Sequence, residues 1–283
     1  MKLSAFIIAG ALASAAQAAV TVTDDAGRTV TLPRAAQRVI AFAPHITELL
    51  FAAGAGDRVV GAMNFSDYPE AAKNIPLIGS NSQIDLERVL ALKPELLVVW
   101  QSGNTARQLE QLTRLGIPIF YSEPRSLEDV ATNLERLGQL TGTAAQAAQA
   151  AHSYRAQLAD LRAKYAQRPP VKVFYQVWDK PVYTLNGKHI ASDALRVCGG
   201  VNVFAGLRVL APEVSTEAVL QANPEVMFGS ELNGWKQFKT LTAVQRNNLF
   251  SSEGEHLTRA TPRIADATRA VCEQLEQARQ KRR

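Results

Sequence analysis

Two stretches about 130 positions apart carry the same order of polar and apolar residues. The first is Asp85-Leu86-Glu87-Arg88-Val89-Leu90, followed by Lys93-Pro94-Glu95-Leu96-Leu97-Val98-Val99. The second is Ser215-Thr216-Glu217-Ala218-Val219-Leu220, followed by Asn223-Pro224-Glu225-Val226-Met227-Phe228. In each, a polar cap opens a run with apolar residues at helical spacing and a proline stops it. A continuous apolar run follows, the pattern of a parallel strand buried on both faces. The repetition predicts two lobes of one α/β design. Short β-rich runs at Arg38–Phe42, Val59–Ala62, Ile117–Tyr121 and Val171–Val177 alternate with helical segments, which implies mainly parallel sheets flanked by helices. From Thr143 to Gln167 the chain is rich in Ala, Gln, Leu and Arg and holds neither Gly nor Pro. This predicts one helix of roughly 35 Å, bounded by Gly142 and Pro169-Pro170 and long enough to brace two lobes.

The N-terminus reads differently. Lys2, the apolar stretch Leu3–Ala15 and the small-x-small pattern Ala16-Gln17-Ala18 form an export leader cleaved after Ala18. A membrane anchor needs about 20 continuous apolar residues, and Thr21, Thr23, Asp24 and Asp25 interrupt the run too soon. The expected division is therefore residues 1–18 as signal peptide, 19–142 as N-terminal lobe, 143–168 as linking helix and 169–283 as C-terminal lobe. A lipid anchor would need a cysteine at the cleavage site, and the two cysteines are Cys198 and Cys272. The mature protein is expected to be soluble in the periplasm and not a lipoprotein. In that oxidising compartment Cys198 and Cys272 are expected to form a disulfide.

Composition narrows the function classes. With 47% hydrophobic residues and about 265 residues after cleavage, the chain can bury two ordinary cores. Loss of Lys2 takes the formal charge from +5 to +4. The basic residues sit mostly on helical stretches, with the tail Lys281-Arg282-Arg283 the densest cluster, so no nucleic-acid stripe is expected. The chain has no Gly-x-Ser-x-Gly elbow, His-Glu-x-x-His helix or Gly-rich phosphate loop, and no catalytic residue is expected. His45, His152, His189 and His256 are scattered. Only His45 and His256 fall on segments expected at a cleft, too few for a three- or four-ligand metal site.

At Pro44-His45-Ile46-Thr47-Glu48-Leu49, Ser66-Asp67-Tyr68-Pro69, Leu86-Glu87-Arg88, Val197-Cys198-Gly199-Gly200 with Asn202-Val203-Phe204, and Arg259-Ala260-Thr261-Pro262-Arg263, the chain resembles the cobalamin-binding periplasmic proteins. These stand within a wider group that carries iron-siderophores, haem and corrinoids between two lobes joined by one long rigid helix. The likeness runs from Arg38 to Cys272. It implies a monomeric solute-binding protein of an ABC importer rather than an enzyme. Cobalamin or a related corrinoid would be the transported ligand and not a cofactor, and an inner-membrane ABC permease dimer with its ATPase subunits would be the partner. Haem or an iron-siderophore is the alternative ligand within the group.

The resemblance also assigns residues. Tyr68 corresponds to an N-lobe aromatic, Pro44 opens a ligand-facing motif, and Glu255-His256-Leu257-Thr258-Arg259 matches a C-lobe contact loop. A flat ring gains most from apolar and π contact. The chain departs from the pattern there: Asn81 and Ala211 stand where members of the family carry pocket tryptophans, and Val177 where they carry phenylalanine. Trp178, just past a predicted strand, is the candidate for the facing C-lobe wall, and Trp235 is a second aromatic able to compensate. Glu87 and Glu217 occupy equivalent places in the two repeats. The resemblance implies that each docks against an arginine of the permease, one contact per lobe, as a two-fold partner requires.

Overall fold

The computed structural model describes residues 19–251 and 257–282. The expected leader, residues 1–18, lies outside the described residues. The chain begins with a hairpin of β1 (Val20–Thr23) against β2 (Thr29–Leu32). Its valine–threonine alternation turns Val22, Val30 and Leu32 inward, as the two-residue period of a strand dictates. Thr21 and Thr23, read above only as the polar end of the leader, belong to this unpredicted strand.

In the N-terminal half, strands β3 (Val39–Ala41), β4 (Val59–Ala62), β5 (Leu96–Trp100) and β6 (Ile119–Ser122) alternate with helices α1 (Pro44–Ala52), α2 (Leu86–Ala91) and α3 (Ala106–Arg114). Helix α4 (Leu127–Thr141) closes the unit and α5 (Ala144–Tyr165) leads out of it. In the C-terminal half, β7 (Val171–Tyr175) is followed by the small hairpin of β8 (Trp178–Asp179) and β9 (Val182–Tyr183), then by α6 (Ile190–Val197) and β10 (Gly200–Asn202). Helix α7 (Thr216–Ala222), β11 (Val226–Gly229), α8 (Thr242–Gln245), β12 (Leu249–Ser251) and α9 (Ile264–Gln280) complete it. Both four-stranded sheets are parallel, with orders β4-β3-β5-β6 and β10-β7-β11-β12. Each order is second strand, first, third, fourth, so the sequence repeat is a repeat of topology, and the two-lobed α/β fold read from it is the fold observed.

The repeated residues do repeated work. Asp85 Oδ1 accepts the Arg88 N–H at 2.9 Å and Ser215 Oγ accepts the Ala218 N–H at 3.2 Å, capping α2 and α7. Both helices end at a left-handed residue, Lys93 at φ 45° and Asn223 at φ 43°, each followed by a proline that cannot continue a helix. The glutamate after each proline then fixes the sheet: Glu95 accepts the Gln37 N–H at 2.6 Å and Glu225 the Lys172 N–H at 3.1 Å.

Helix α5 spans 22 residues, about 33 Å at helical rise. Its buried positions, Ala147, Ala151, Tyr154, Leu158, Leu161 and Tyr165, alternate steps of four and three and form one stripe. The stripe packs on α4 in one lobe and on α6 and α9 in the other. A single apolar cluster therefore runs from Val39 and Leu49 through Tyr154 and Leu158 to Val171 and Leu275. Moving the lobes apart would expose part of it to water. Gly142, at φ 68°, takes the left-handed cap that lets α4 turn straight into α5.

Two predicted strands end elsewhere. The run Val171–Val177 leaves its sheet after Tyr175, because the Val177 N–H bonds the Tyr183 carbonyl at 2.9 Å and starts the β8–β9 hairpin. The run Ile117–Tyr121 enters its sheet only at Ile119. No helix among the described residues is long and apolar enough to cross a membrane.

Cys198, capping α6, and Cys272, inside α9, form the expected disulfide with Cα atoms 4.7 Å apart and a sequence separation of 74. Closing a loop of that length stabilises the fold by about 4 kcal/mol in the chain-entropy model. Denaturant unfolding with and without reductant should show a loss of that order. Equal stability in both conditions contradicts a structural role for the bridge.

Candidate functional site

The strands of both sheets point their C-terminal ends at one cavity of about 550 Å³, the position where open α/β sheets place ligands. From the N-terminal lobe it receives His45 just after β3, Trp100 at the end of β5 and Glu123 just after β6. From the C-terminal lobe come Tyr175 at the end of β7, Trp178 in β8 and Ser230 just after β11.

Trp100 and Phe65 form the N-lobe aromatic wall. The Trp100 ring stands edge-on to His45 with centroids 5.3 Å apart. The loop beyond it lies so close that a Cβ on Gly103 would sit 1.9 Å from the indole, and Asn104 Nδ2 donates to the Trp100 carbonyl at 2.6 Å. Phe65 is 78% exposed with φ at 67°, a left-handed conformation that costs about 1–3 kcal/mol for a residue with a side chain. The turn is held by Ser66, whose Oγ accepts from Thr47 Oγ1 at 3.0 Å. Glu123 accepts from the Ser102 N–H and Oγ, both at 2.8 Å. Its own N–H bonds Asp25 Oδ2 at 2.7 Å, and Asp25 in turn pairs with Arg136 at 2.8 Å. The N-terminal hairpin thus supports the cleft through its turn.

On the opposite wall Trp178 is 62% exposed, its ring steadied by Nε1 donating to the Lys180 carbonyl at 3.1 Å. Beneath it Gln176 is fixed from both sides, donating to the Glu231 carbonyl at 3.0 Å and accepting from Trp235 Nε1 at 2.7 Å. His189 lines the cavity at the start of α6, where its Nδ1 accepts the Ala191 N–H at 3.1 Å.

The lobes are tied at the cleft by Glu48. Its carboxylate lies in α1, almost sealed from water, and meets Arg259 Nη1 at 3.0 Å, Arg263 Nε at 2.9 Å and Arg263 Nη2 at 2.6 Å. Arg263 also lies over the Tyr68 ring, 4.0 Å from its centroid.

Of the residues expected to face a ligand, Pro44, Asn81, Trp178, Thr258 and Arg259 line the cavity. Tyr68 does not: its ring lies under Arg263, and Phe65, three residues earlier on the same turn, takes the lining position. Trp235 is a core residue at 5% exposure, packed edge-on against Phe174, and supplies no cleft surface. Leu257 is buried, and Ala211 is exposed beside the lining residue Leu210. Glu255 and His256 lie outside the described residues. Glu87 and Glu217 are exposed in the first turns of α2 and α7 and do not line the cavity. The expectation that only His45 and His256 fall on cleft segments fails for His189, because the loop after β9 brings the start of α6 to the wall. Phe65, Trp100 and Glu123 went unassigned in the sequence, although Trp100 directly follows the apolar run read as a strand through Val99 and is the last residue of β5. Among the described residues no group of three or more His, Cys, Asp or Glu could hold a metal ion.

The sequence profile of the family described as periplasmic binding protein matches residues 39–252. The vitamin B12-binding protein of Vibrio parahaemolyticus is 39% identical over 252 residues, covering 87% of this chain and 92% of that protein. Among solved structures, the periplasmic vitamin B12 binding protein BtuF of Vibrio cholerae superposes with a TM-score of 0.81 at 39% identity, over 86% of this chain and 98% of that one. The periplasmic haem-binding protein RhuT of Roseiflexus superposes at 0.75 over 86% of this chain and 98% of that one, but at 22% identity the likeness is one of fold alone.

Burial lowers the pKa of His45 to about 3, helped by the positive charge of Arg259, and burial lowers that of His189 to about 4. In the unfolded chain both imidazoles take up a proton below about pH 6.5. Their contribution is therefore whole above that pH and is lost as the pH falls toward 4, by up to about 1.4 kcal/mol per pH unit for each. Denaturant unfolding at pH 7, 6 and 5 should show stability falling, and His45→Gln should reduce the slope. An identical slope in the variant contradicts the buried neutral imidazole.

Proposed function

The chain belongs to the periplasmic binding protein family, and on that premise we propose that it captures cobalamin or a related corrinoid in the cleft and hands it to an inner-membrane ABC permease. The observation that carries this reading is the 39% identity to vitamin B12-binding proteins along nearly their whole length. The aromatic cleft supports it. A flat macrocycle gains most from rigid rings that bury large area at small entropic cost. Phe65 and Trp100 on one wall and Trp178 on the other offer such surface, which offsets the aromatics missing at Asn81, Val177 and Ala211. Pro44, Asn81, Thr258 and Arg259 meet the ring's rim, the contact roles that the resemblance implies for Glu255 and His256 belong to the same reading, and Leu257 is buried in the core.

In this reading residues 1–18 are removed on export and a soluble monomer works in the periplasm. Residues 19–142 and 169–283 form the lobes about the linking segment 143–168. Glu87 and Glu217 dock on the permease dimer with its ATPase subunits, each from the same place in its own repeat. A carboxylate at a helix start has a bland explanation in the helix dipole. Its duplication at matching positions of two lobes favours docking on a two-fold partner.

Quenching of tryptophan emission tests the ligand. Cyanocobalamin should saturate the protein, with haem and a ferric siderophore unable to displace it, and Trp178→Ala should weaken binding by about 1–3 kcal/mol. Displacement by haem or siderophore at comparable concentration overturns the corrinoid reading. For the partner, the double variant Glu87→Gln, Glu217→Gln should lose association with the permease in nanodiscs, because stripping one side of a desolvated charge pair costs about 2–5 kcal/mol. A variant that associates like the parent leaves the two glutamates with their helix-start role alone.

A further inference from the structure

The polar lining of the cleft has a donor on one wall and an acceptor on the other. His189 uses Nδ1 to accept the Ala191 N–H at the start of α6. A ring nitrogen engaged as acceptor cannot carry a proton, so the capped imidazole is neutral and its proton sits on Nε2. Protonating Nδ1 as well would set two N–H groups against each other and release the cap. Nε2–H has no partner among the described residues, on a side chain that lines the cavity. Capping therefore makes His189 a fixed, uncharged donor and rules it out as a metal ligand through Nε2, which would need that lone pair.

Glu123 faces the same cavity from the N-terminal lobe. Its two oxygens each hold one hydrogen bond from Ser102, and each oxygen keeps a further lone pair. Two cations also line the cavity. The Arg259 guanidinium is bonded to Glu48, and Arg125 sits on the solvent-exposed rim. A primary amide presents a carbonyl to accept and an NH₂ to donate, the complement of His189 and Glu123. A carboxylate in the same place would meet an uncharged donor and a like charge.

We propose that His189 and Glu123 together read primary amides on the rim of the ligand, His189 Nε2–H bonding an amide carbonyl and Glu123 accepting an amide N–H, and so reject rings fringed by carboxylates. The inference rests on the corrinoid reading above and deepens it: the corrin rim bears acetamide and propionamide arms, whereas haem bears propionates. Selection is by the rim, independent of the aromatic walls that any flat ring would satisfy.

Titration calorimetry with cobyrinic acid and with its heptaamide, two forms of one ring that differ only in carboxylate against primary amide, tests this, with cyanocobalamin as the reference ligand. The parent should favour the amide form by about a hundredfold, since a like charge brought into a desolvated site is disfavoured by at least that factor. His189→Thr keeps a capping oxygen for α6 but is too short to reach the ligand. It should unfold at the parent's temperature yet bind cyanocobalamin about tenfold more weakly, the loss of one hydrogen bond. Glu123→Gln should narrow the preference for amide over acid. Equal affinity of the parent for both rings, or undiminished cyanocobalamin binding by His189→Thr, overturns the proposal. Failure of the parent to bind cyanocobalamin at all overturns the ligand reading itself and is seen before any variant is compared.

Discussion

Glu48 is nearly sealed from water in the N-terminal lobe, and both of its oxygens are met by arginines of the C-terminal segment, Arg259 and Arg263. A carboxylate so placed cannot lose its partners cheaply, since breaking a buried ion pair by removing one side costs about 3–5 kcal/mol. The same arginines reach further. Arg263 covers Tyr68, and Arg259 lies 3.9 Å from Asp67, so one cluster positions the turn that presents Phe65. It also positions α1, whose first turn carries His45, and the segment that brings Thr258 to the cleft. Together with the continuous core along α5 it ties the lobes in two places, contacts that oppose any change in the width of the cleft. Preorganisation of this kind raises affinity by sparing the cost of ordering on binding.

On that fixed frame the repeat explains why a single cleft is lined from both sides. The central strands β3 and β7 are topological equivalents, and the helices that follow them, α1 and α6, place His45 and His189 on opposite walls. Both imidazoles are held neutral, the first by burial beside Arg259 and the second by burial and by its capping bond. The walls are aromatic and the rim is polar, so in the proposed reading grip falls to Phe65, Trp100 and Trp178, and selection to groups with fixed hydrogen-bond direction.

Much of this was legible in the sequence because periodic signals are local. The apolar runs at 96–99 and 226–228, the caps Asp85 and Ser215 and the glycine- and proline-free stretch before Pro169 each declared an element from its own neighbourhood. The hairpin at Val20–Leu32 was missed because Thr21 and Thr23 serve equally as the end of a leader and as the outer face of a strand. Side-chain roles set by distant partners were illegible. Tyr68 and Phe65 share a turn, and only the placement of Arg263, almost two hundred positions on in the chain, shows that one face of the Tyr68 ring is taken while Phe65 is left to the cleft. Trp235 looked like available aromatic surface until its Nε1 was seen to bond Gln176 in the core. His189 looked like an isolated histidine because the loop that carries it to the wall has no periodic signature. Glu48, quoted within a motif, showed nothing of its role, since both its partners lie more than two hundred residues away.

A crystal structure of the protein loaded with cobalamin tests the preformed cleft most directly. The account predicts a corrin ring between the Phe65–Trp100 wall and Trp178, Glu48 still bonded to Arg259 and Arg263, and the lobes in the relative orientation they hold here. A loaded structure in which the Glu48 cluster is broken and the lobes have turned on each other contradicts it.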